Sequence, residues 1–145
     1  AKSLSINVLG AYHAFRASLP DLLAAKDGVV VNVSSGAAQN IYEGWGAYCT
    51  GKAGLAMLTQ SMALEYGAEG LRVYGFQPGT VYTAMQQKIR ASGINPVSQM
   101  QPEDHPPAED PARTIAWLCS AAAADLAGQE LSVRDSALRA RVGLA

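Results

Sequence analysis

Hydrophobic and polar positions fall into alternating helix-like and strand-like segments along this chain. Ser3 to Ala25 reads as a helix that tolerates Pro20 near a kink and stops at Lys26-Asp-Gly28. Gly28-Val-Val-Val-Asn-Val-Ser-Ser35 is a β-branched run opened by glycine and closed by hydroxyls. It predicts a strand from Val29 to Ser34, buried on both faces as in a parallel sheet. Residues 36 to 46 form a loop, and Ala47 to Gly67 a long helix with Gly51 and Gly54 as close-approach positions. Leu71 to Gln77 repeats the strand signal and ends in Pro78-Gly79. A short helix is expected at Ala84 to Ala91, within a stretch of Gln, Ser and Pro. Asp110-Pro111 predicts a helix start, a cap followed by proline, for a helix running to about Ala123. Glu130 to Val133 reads as a last short strand, and residues 134–145 as a basic tail.

Strand, helix, strand in this order predicts an α/β fold with a parallel sheet. Composition agrees: 49% hydrophobic, 16% charged and a net charge of −1 give no electrostatic reason to bind nucleic acid or an acidic membrane. The apolar stretches are too short for a membrane span. Cys49 and Cys119 have neither metal-type nor redox spacing, so no metal site is expected and a reduced, cytoplasmic setting is the plain reading.

The chemistry points to one helix. Tyr48 and Lys52 stand four residues apart, thirteen residues after Ser35. Positions i and i+4 share a helix face, roughly 6 Å apart. An ammonium that near a phenol favours the phenolate, as a group exchanging a proton with a carbonyl or hydroxyl requires. Ser35 closes the first strand, at the carboxyl end where open α/β sheets place their ligands. The Tyr48/Lys52 pair alone is a weak signal; its surroundings make it specific.

Five ordered motifs carry those surroundings: Asn7 in Ile-Asn-Val-Leu-Gly, Ser35 in Asn-Val-Ser-Ser-Gly, Tyr48 and Lys52 in Tyr-Cys-Thr-Gly-Lys-Ala-Gly, Pro78-Gly79-Thr-Val-Tyr-Thr83, and Leu126-Ala-Gly-Gln-Glu-Leu-Ser-Val133. In order and spacing the chain resembles the short-chain dehydrogenase/reductases, in their compact single-domain branch, over residues 1 to about 133. The resemblance implies the C-terminal portion of a Rossmann-like doubly wound parallel sheet, about three strands with flanking helices. Residues 1–145 are then a single partial domain, with 84–110 as a substrate-side lid. The family's Gly-x-x-x-Gly-x-Gly turn, which faces the cofactor pyrophosphate, has no counterpart here. The expectation is therefore the back half of a longer enzyme, binding a dinucleotide weakly if at all by itself.

The resemblance also implies roles. Tyr48 is the acid/base, Lys52 assists it and binds the nicotinamide ribose, Ser35 hydrogen-bonds the substrate oxygen, and Asn7 holds a water of the proton relay. Pro78, Gly79, Val81 and Thr83 are expected against the cofactor, together with Tyr48 and Lys52. Gln39, Tyr42 and Trp45 line the substrate side with the flexible stretch 84–105, since binding residues tend to sit on loops. His13 and His105 are read as ordinary, and Cys49 has no role.

The implied function is an NAD- or NADP-dependent oxidoreductase acting on a small alcohol or ketone, with the nucleotide preference open. Helices 3–25 and 47–67 are expected to pair subunits into a homodimer or homotetramer. Two other functions fit the same residues: an inactive fragment serving as a binding or assembly module, and an isomerase or dehydratase on the same site. Arg134-Asp135-Ser136 stands where the family commonly has Asp-Gly-Gly, so the substrate does not transfer from relatives.

Overall fold

A computed structural model describes residues 2–144; Ala1 and Ala145, the outer limits of the expected domain and tail, lie outside the described residues. The chain begins with one unbroken helical run over residues 2–24: α1 (Lys2–Leu4), a π-helical turn (Ser5–Gly10) and α2 (Ala11–Ala24). It ends at Ala25, and Lys26 turns the backbone into the left-handed region at φ 62°. Then follow β1 (Val29–Val33), a 3-10 turn (Gly36–Ala38), α3 (Gly46–Tyr66) and β2 (Arg72–Gln77). The second half comprises α4 (Ala84–Ser92), two short 3-10 turns, α5 (Glu109–Leu118), a 3-10 segment (Ala121–Leu126), β3 (Glu130–Ser132) and α6 (Ser136–Val142).

The strands form one parallel sheet in the order β1-β2-β3, with Val29 opposite Arg72 and Gly75 opposite Glu130. Parallel neighbours need a crossover, which α3 supplies between β1 and β2. Side chains alternate along β2, sending Val73 to one face and Tyr74 and Phe76 to the other. The first face packs with Phe15, Leu19, Met62 and Leu71 from α2, α3 and the turn before β2. The second packs with Leu118, Ala123, Val133 and Leu138. Helices thus cover both faces, the doubly wound arrangement expected from the sequence.

Three expectations change. β1 is an edge strand, so its residues are half-buried and Val33 is 47% exposed, where burial on both faces was expected. Only central β2 has that environment. The cap of α5 is Ala108, not Asp110; the Asp110 carboxylate instead receives Arg139 at 3.1 Å, and the helix stops at Leu118. The Arg72 guanidinium takes the carbonyls of Ser120 (2.5 Å) and Cys119 (3.4 Å) just beyond that end. Finally, the segment read as a basic tail is helical. Asp135 accepts a bond from the Leu138 amide at 2.8 Å, Gly143 closes α6 at φ 74°, and Leu138 and Leu144 are buried. A side-chain N-cap and a left-handed glycine are what a short helix needs at its two ends.

Candidate active site

α3 sets the site. Trp45 precedes it, Tyr48 stands on its first turn and Lys52 on the next, with the Lys52 Nζ 5.8 Å from the Tyr48 ring centre. Nζ donates a 2.8 Å hydrogen bond to the carbonyl of Val33, the last residue of β1. This bond ties the helix to the carboxyl end of the strand. Burial lowers the Lys52 pKa from its ordinary value, and the charge of Glu130 pulls it back up.

Ser35 follows at the strand end in an extended conformation. Its Oγ accepts the Ala37 amide at 3.2 Å and so caps the 3-10 turn against which α3 packs. A hydroxyl that accepts one bond still has its proton to donate. Ser34, its neighbour, is buried, and its Oγ has no partner among the described residues. The structure thus separates two hydroxyls adjacent in sequence, one interior and one partly open.

Asn7 arrives through helix crossing. A Cβ placed on Gly51 would lie 3.3 Å from the Asn7 Cβ, and one on Gly54 2.9 Å from Val8 Cγ2. Only glycines admit the π-helical turn so close to α3. The Asn7 amide nitrogen is directed to Ser3, to its carbonyl at 3.0 Å and its hydroxyl at 3.4 Å. Ser3 Oγ in turn donates to the Ala47 carbonyl at 3.1 Å, on the first turn of α3. Asn7 therefore reaches the Tyr48 helix through Gly51 and Ser3, and no bond joins it to Lys52.

The expected substrate side is an aromatic row. Tyr42 and Trp45 lie 5.2 Å apart between ring centres, and Trp45 meets Tyr48 edge-on at 5.6 Å. Gln39 is exposed, away from that row's ring contacts. Residues 84–105, expected on this side, carry hydrogen bonds of their own. Gln86 donates to the Val97 carbonyl (3.0 Å), Arg90 to Gln101 (2.6 Å) and Asn95 to the Glu43 carbonyl in the aromatic loop (3.1 Å).

Loop 78–83 follows β2. Gly79 sits at φ 75°, where a side chain is strained, and a Cβ there would come within 3.2 Å of Val133. Pro78 and Val81 are half-buried; Thr83 is exposed and precedes α4. His105 Nδ1 donates to the Thr80 carbonyl at 2.7 Å, and its ring lies 5.6 Å from that of Tyr82. His105, read from sequence as ordinary, thus ties this loop to the segment that precedes α5. No signal in the sequence joins positions 80 and 105. Glu130 was also missed: it is an acid opposite a glycine, a relation visible only once the register is known.

Taken together, the site offers a phenol and an ammonium on one face, a serine hydroxyl at the adjoining strand end and an aromatic wall. Among the described residues there is no cluster of His, Cys, Asp or Glu able to hold a metal, and no helix long and apolar enough to cross a membrane.

Comparison with known proteins gives a consistent picture. The family model described as short chain dehydrogenase matches residues 1–93. A benzil reductase ((S)-benzoin forming) of Bacillus subtilis is 51% identical over 65 residues, 43% of this chain and 27% of that protein. A short chain dehydrogenase from Salmonella enterica superposes with a TM-score of 0.79 at 27% identity, over 91% of this chain and 51% of that one. Carveol dehydrogenase from Mycobacterium avium, solved in complex with NAD, gives 0.77 at 26% identity over 90% and 53%. The chain spans about half the length of these solved relatives.

Proposed function

This chain belongs to the short-chain dehydrogenase family, and from that premise we infer that it is the catalytic portion of an NAD- or NADP-dependent oxidoreductase acting on an alcohol or ketone. The observation carrying this reading is the Lys52 side chain, which spans from the Tyr48 ring to the Val33 carbonyl at the strand end beside Ser35.

The residues fit a nicotinamide nucleotide. An ammonium has three donors; one goes to Val33, which leaves two for vicinal ribose hydroxyls. Pro78, Gly79, Val81 and Thr83 supply backbone and small side chains on the neighbouring loop. The cofactor, when bound, supplies or accepts the hydride.

In carbonyl reduction the Tyr48 hydroxyl gives its proton to the substrate oxygen. Ser35 Oγ–H donates to that same oxygen, stabilising the negative charge that builds on it. Tyr48, beside Lys52, recovers its proton from solvent on the side where Asn7 and Ser3 meet α3. Alcohol oxidation runs the same transfers in reverse, with Tyr48 as base.

Tyr42 and Trp45 extend the site with aromatic surface. The relative named as a benzil reductase supports an aromatic diketone as the first substrate to test. Residues 84–110 form the lid over that side. Exposed Ile6, Leu9, Tyr12, Met57 and Leu64 on the first helical run and α3 support pairing of subunits through these helices. Cys49 and Cys119 are free thiols, which suits a reducing cytoplasm.

The test is Tyr48→Phe in the protein expressed from its own reading frame, with benzil and NADPH or NADH. Turnover should fall by about 10²–10⁴-fold while nucleotide binding, followed by nicotinamide fluorescence, is retained. Unchanged turnover would remove Tyr48 from the mechanism.

A further inference from the structure

A carboxylate lies beneath the helix that carries Tyr48 and Lys52. Asn32, Gly75 and Glu130 stand side by side across β1, β2 and β3. Neighbours across a parallel sheet project to the same face. That face is the one under α3, since Asn32 Nδ2 donates to Thr59 Oγ1 at 2.9 Å. Gly75 is buried, and the space its missing side chain would take is filled by the Glu130 carboxylate. Glu130 therefore leans inward over β2, although β3 is an edge strand of the sheet.

The inward course needs a cause, because a carboxylate withdrawn from water costs free energy unless it is bonded or paired. Gln77, two residues past Gly75 on the same face, donates from Nε2 to Glu130 Oε1 at 3.4 Å. That is one long bond from a neutral amide. The side chains facing the carboxylate from β1 and β2, Asn32 and Gln77, carry no charge. Arg134, further along the chain from β3, is directed to Thr80 Oγ1 at 3.5 Å. Tyr48 lies one turn before Lys52 on α3. The cation of α3 on that side is Lys52, whose Nζ is bonded to the carbonyl of Val33, the residue next to Asn32 in the Asn32–Gly75–Glu130 row, and the Glu130 charge acts on it.

We propose that Glu130 is a positioning residue for Lys52: its carboxylate, seated over Gly75, is the fixed counter-charge that holds the ammonium at the end of β1. Burial alone drives Lys52 toward the neutral amine, and the Glu130 charge opposes that. Gly75 and Glu130 form a unit, the glycine making room for the acid. The proposal rests on the role given to Lys52 above but is tested without turnover.

The experiment is an NMR titration of the protein expressed from its own reading frame, with ¹³C-labelled lysine. The Lys52 signal is assigned by its disappearance in Lys52→Arg. Glu130→Gln keeps the shape and the Gln77 contact but removes the charge. The Lys52 midpoint should then fall by roughly one pH unit, the scale expected for a nearby charge in a partly buried site. An unmoved midpoint would overturn the proposal, and a merely space-filling Glu130 predicts that result. If Glu130→Gln does not fold, Glu130→Asp, which retracts the carboxylate by one methylene, replaces it: a lowered midpoint supports the proposal and an unmoved one overturns it. A chain that shows the shift but reduces no ketone would sink the proposed function and leave this inference standing. A chain that turns over with Lys52 indifferent to Glu130 would do the reverse.

Discussion

Gly54→Ala tests the helix crossing that delivers Asn7 to the site, because two opposing effects can be weighed. Alanine in a helix interior is favoured over glycine by about 1 kcal/mol. At Gly54, however, a Cβ would sit 2.9 Å from Val8 Cγ2, inside normal contact. Val8 is β-branched and part of the π-helical turn, so its χ1 has little freedom to yield. Overpacking of this kind costs about 1–3 kcal/mol, and the net expectation is a loss of about 1 kcal/mol. In the Val8→Ala background the obstructing methyls are gone. There the same Gly54→Ala change should stabilise by about 1 kcal/mol, so its sign reverses and the coupling is about 2 kcal/mol. Urea unfolding followed by circular dichroism on the four proteins measures this, with linear extrapolation to water. If Gly54→Ala stabilises the parent chain as well, the helices do not meet at Gly54. The placement of Asn7 against Gly51 would then be wrong.

Two further outcomes follow from buried groups. Tyr74 is fully buried and its hydroxyl donates to the Ala123 carbonyl at 2.9 Å. Tyr74→Phe should therefore cost about 1 kcal/mol by removing that buried bond; a urea midpoint equal to the parent's would contradict it. Lys52 has a folded-state pKa below its unfolded value of 10.5, so between the two the unfolded chain holds more protons and stability rises with pH. The penalty for burying the ammonium is present in full below the folded value and is relieved as pH climbs toward 10.5. Lys52→Met should flatten that alkaline rise in unfolding curves; an identical slope in both proteins would contradict it.

What the sequence revealed follows from the range over which each signal acts. β1 and β2 were legible because Val29–Val33 and Arg72–Gln77 are short apolar runs closed by polar or turn residues. Tyr48 and Lys52 were legible because their relation is local, four residues on one helix. The Val33 carbonyl as the anchor of Lys52 was not, since that bond joins positions 19 residues apart. Likewise Glu130 matters through a register that pairs it with Gly75, and nothing in the local pattern encodes the pairing of two distant strands. His105 was passed over in a Pro-rich loop because its partner, the Thr80 carbonyl, is a backbone atom. α6 is a different case. Its cap Asp135 and its closing Gly143 are both in the sequence, but the arginines between them read as a basic tail. In the structure those arginines reach Asp110 and Asp125.

The π-helical turn at Ser5–Gly10 has no sequence signature that would have located it. Its consequence is clear in the packing: Asn7, Val8 and the glycines of α3 come together there. Single-turn π segments are frequent at functional sites, and here the segment holds Asn7 against the helix of Tyr48 and Lys52.

Hydride delivery to a carbonyl carbon whose oxygen is protonated by Tyr48 is the central claim, and an isotope label follows it directly. The protein expressed from its own reading frame is incubated with NADPH or NADH deuterated at the transferring face of C4, with benzil or another aromatic ketone as acceptor. Mass spectrometry should find one deuterium on the carbinol carbon of the alcohol product from the parent protein, and almost none in the same time from Tyr48→Phe. An alcohol without deuterium, or equal labelling by both proteins, would contradict the assignment of this site.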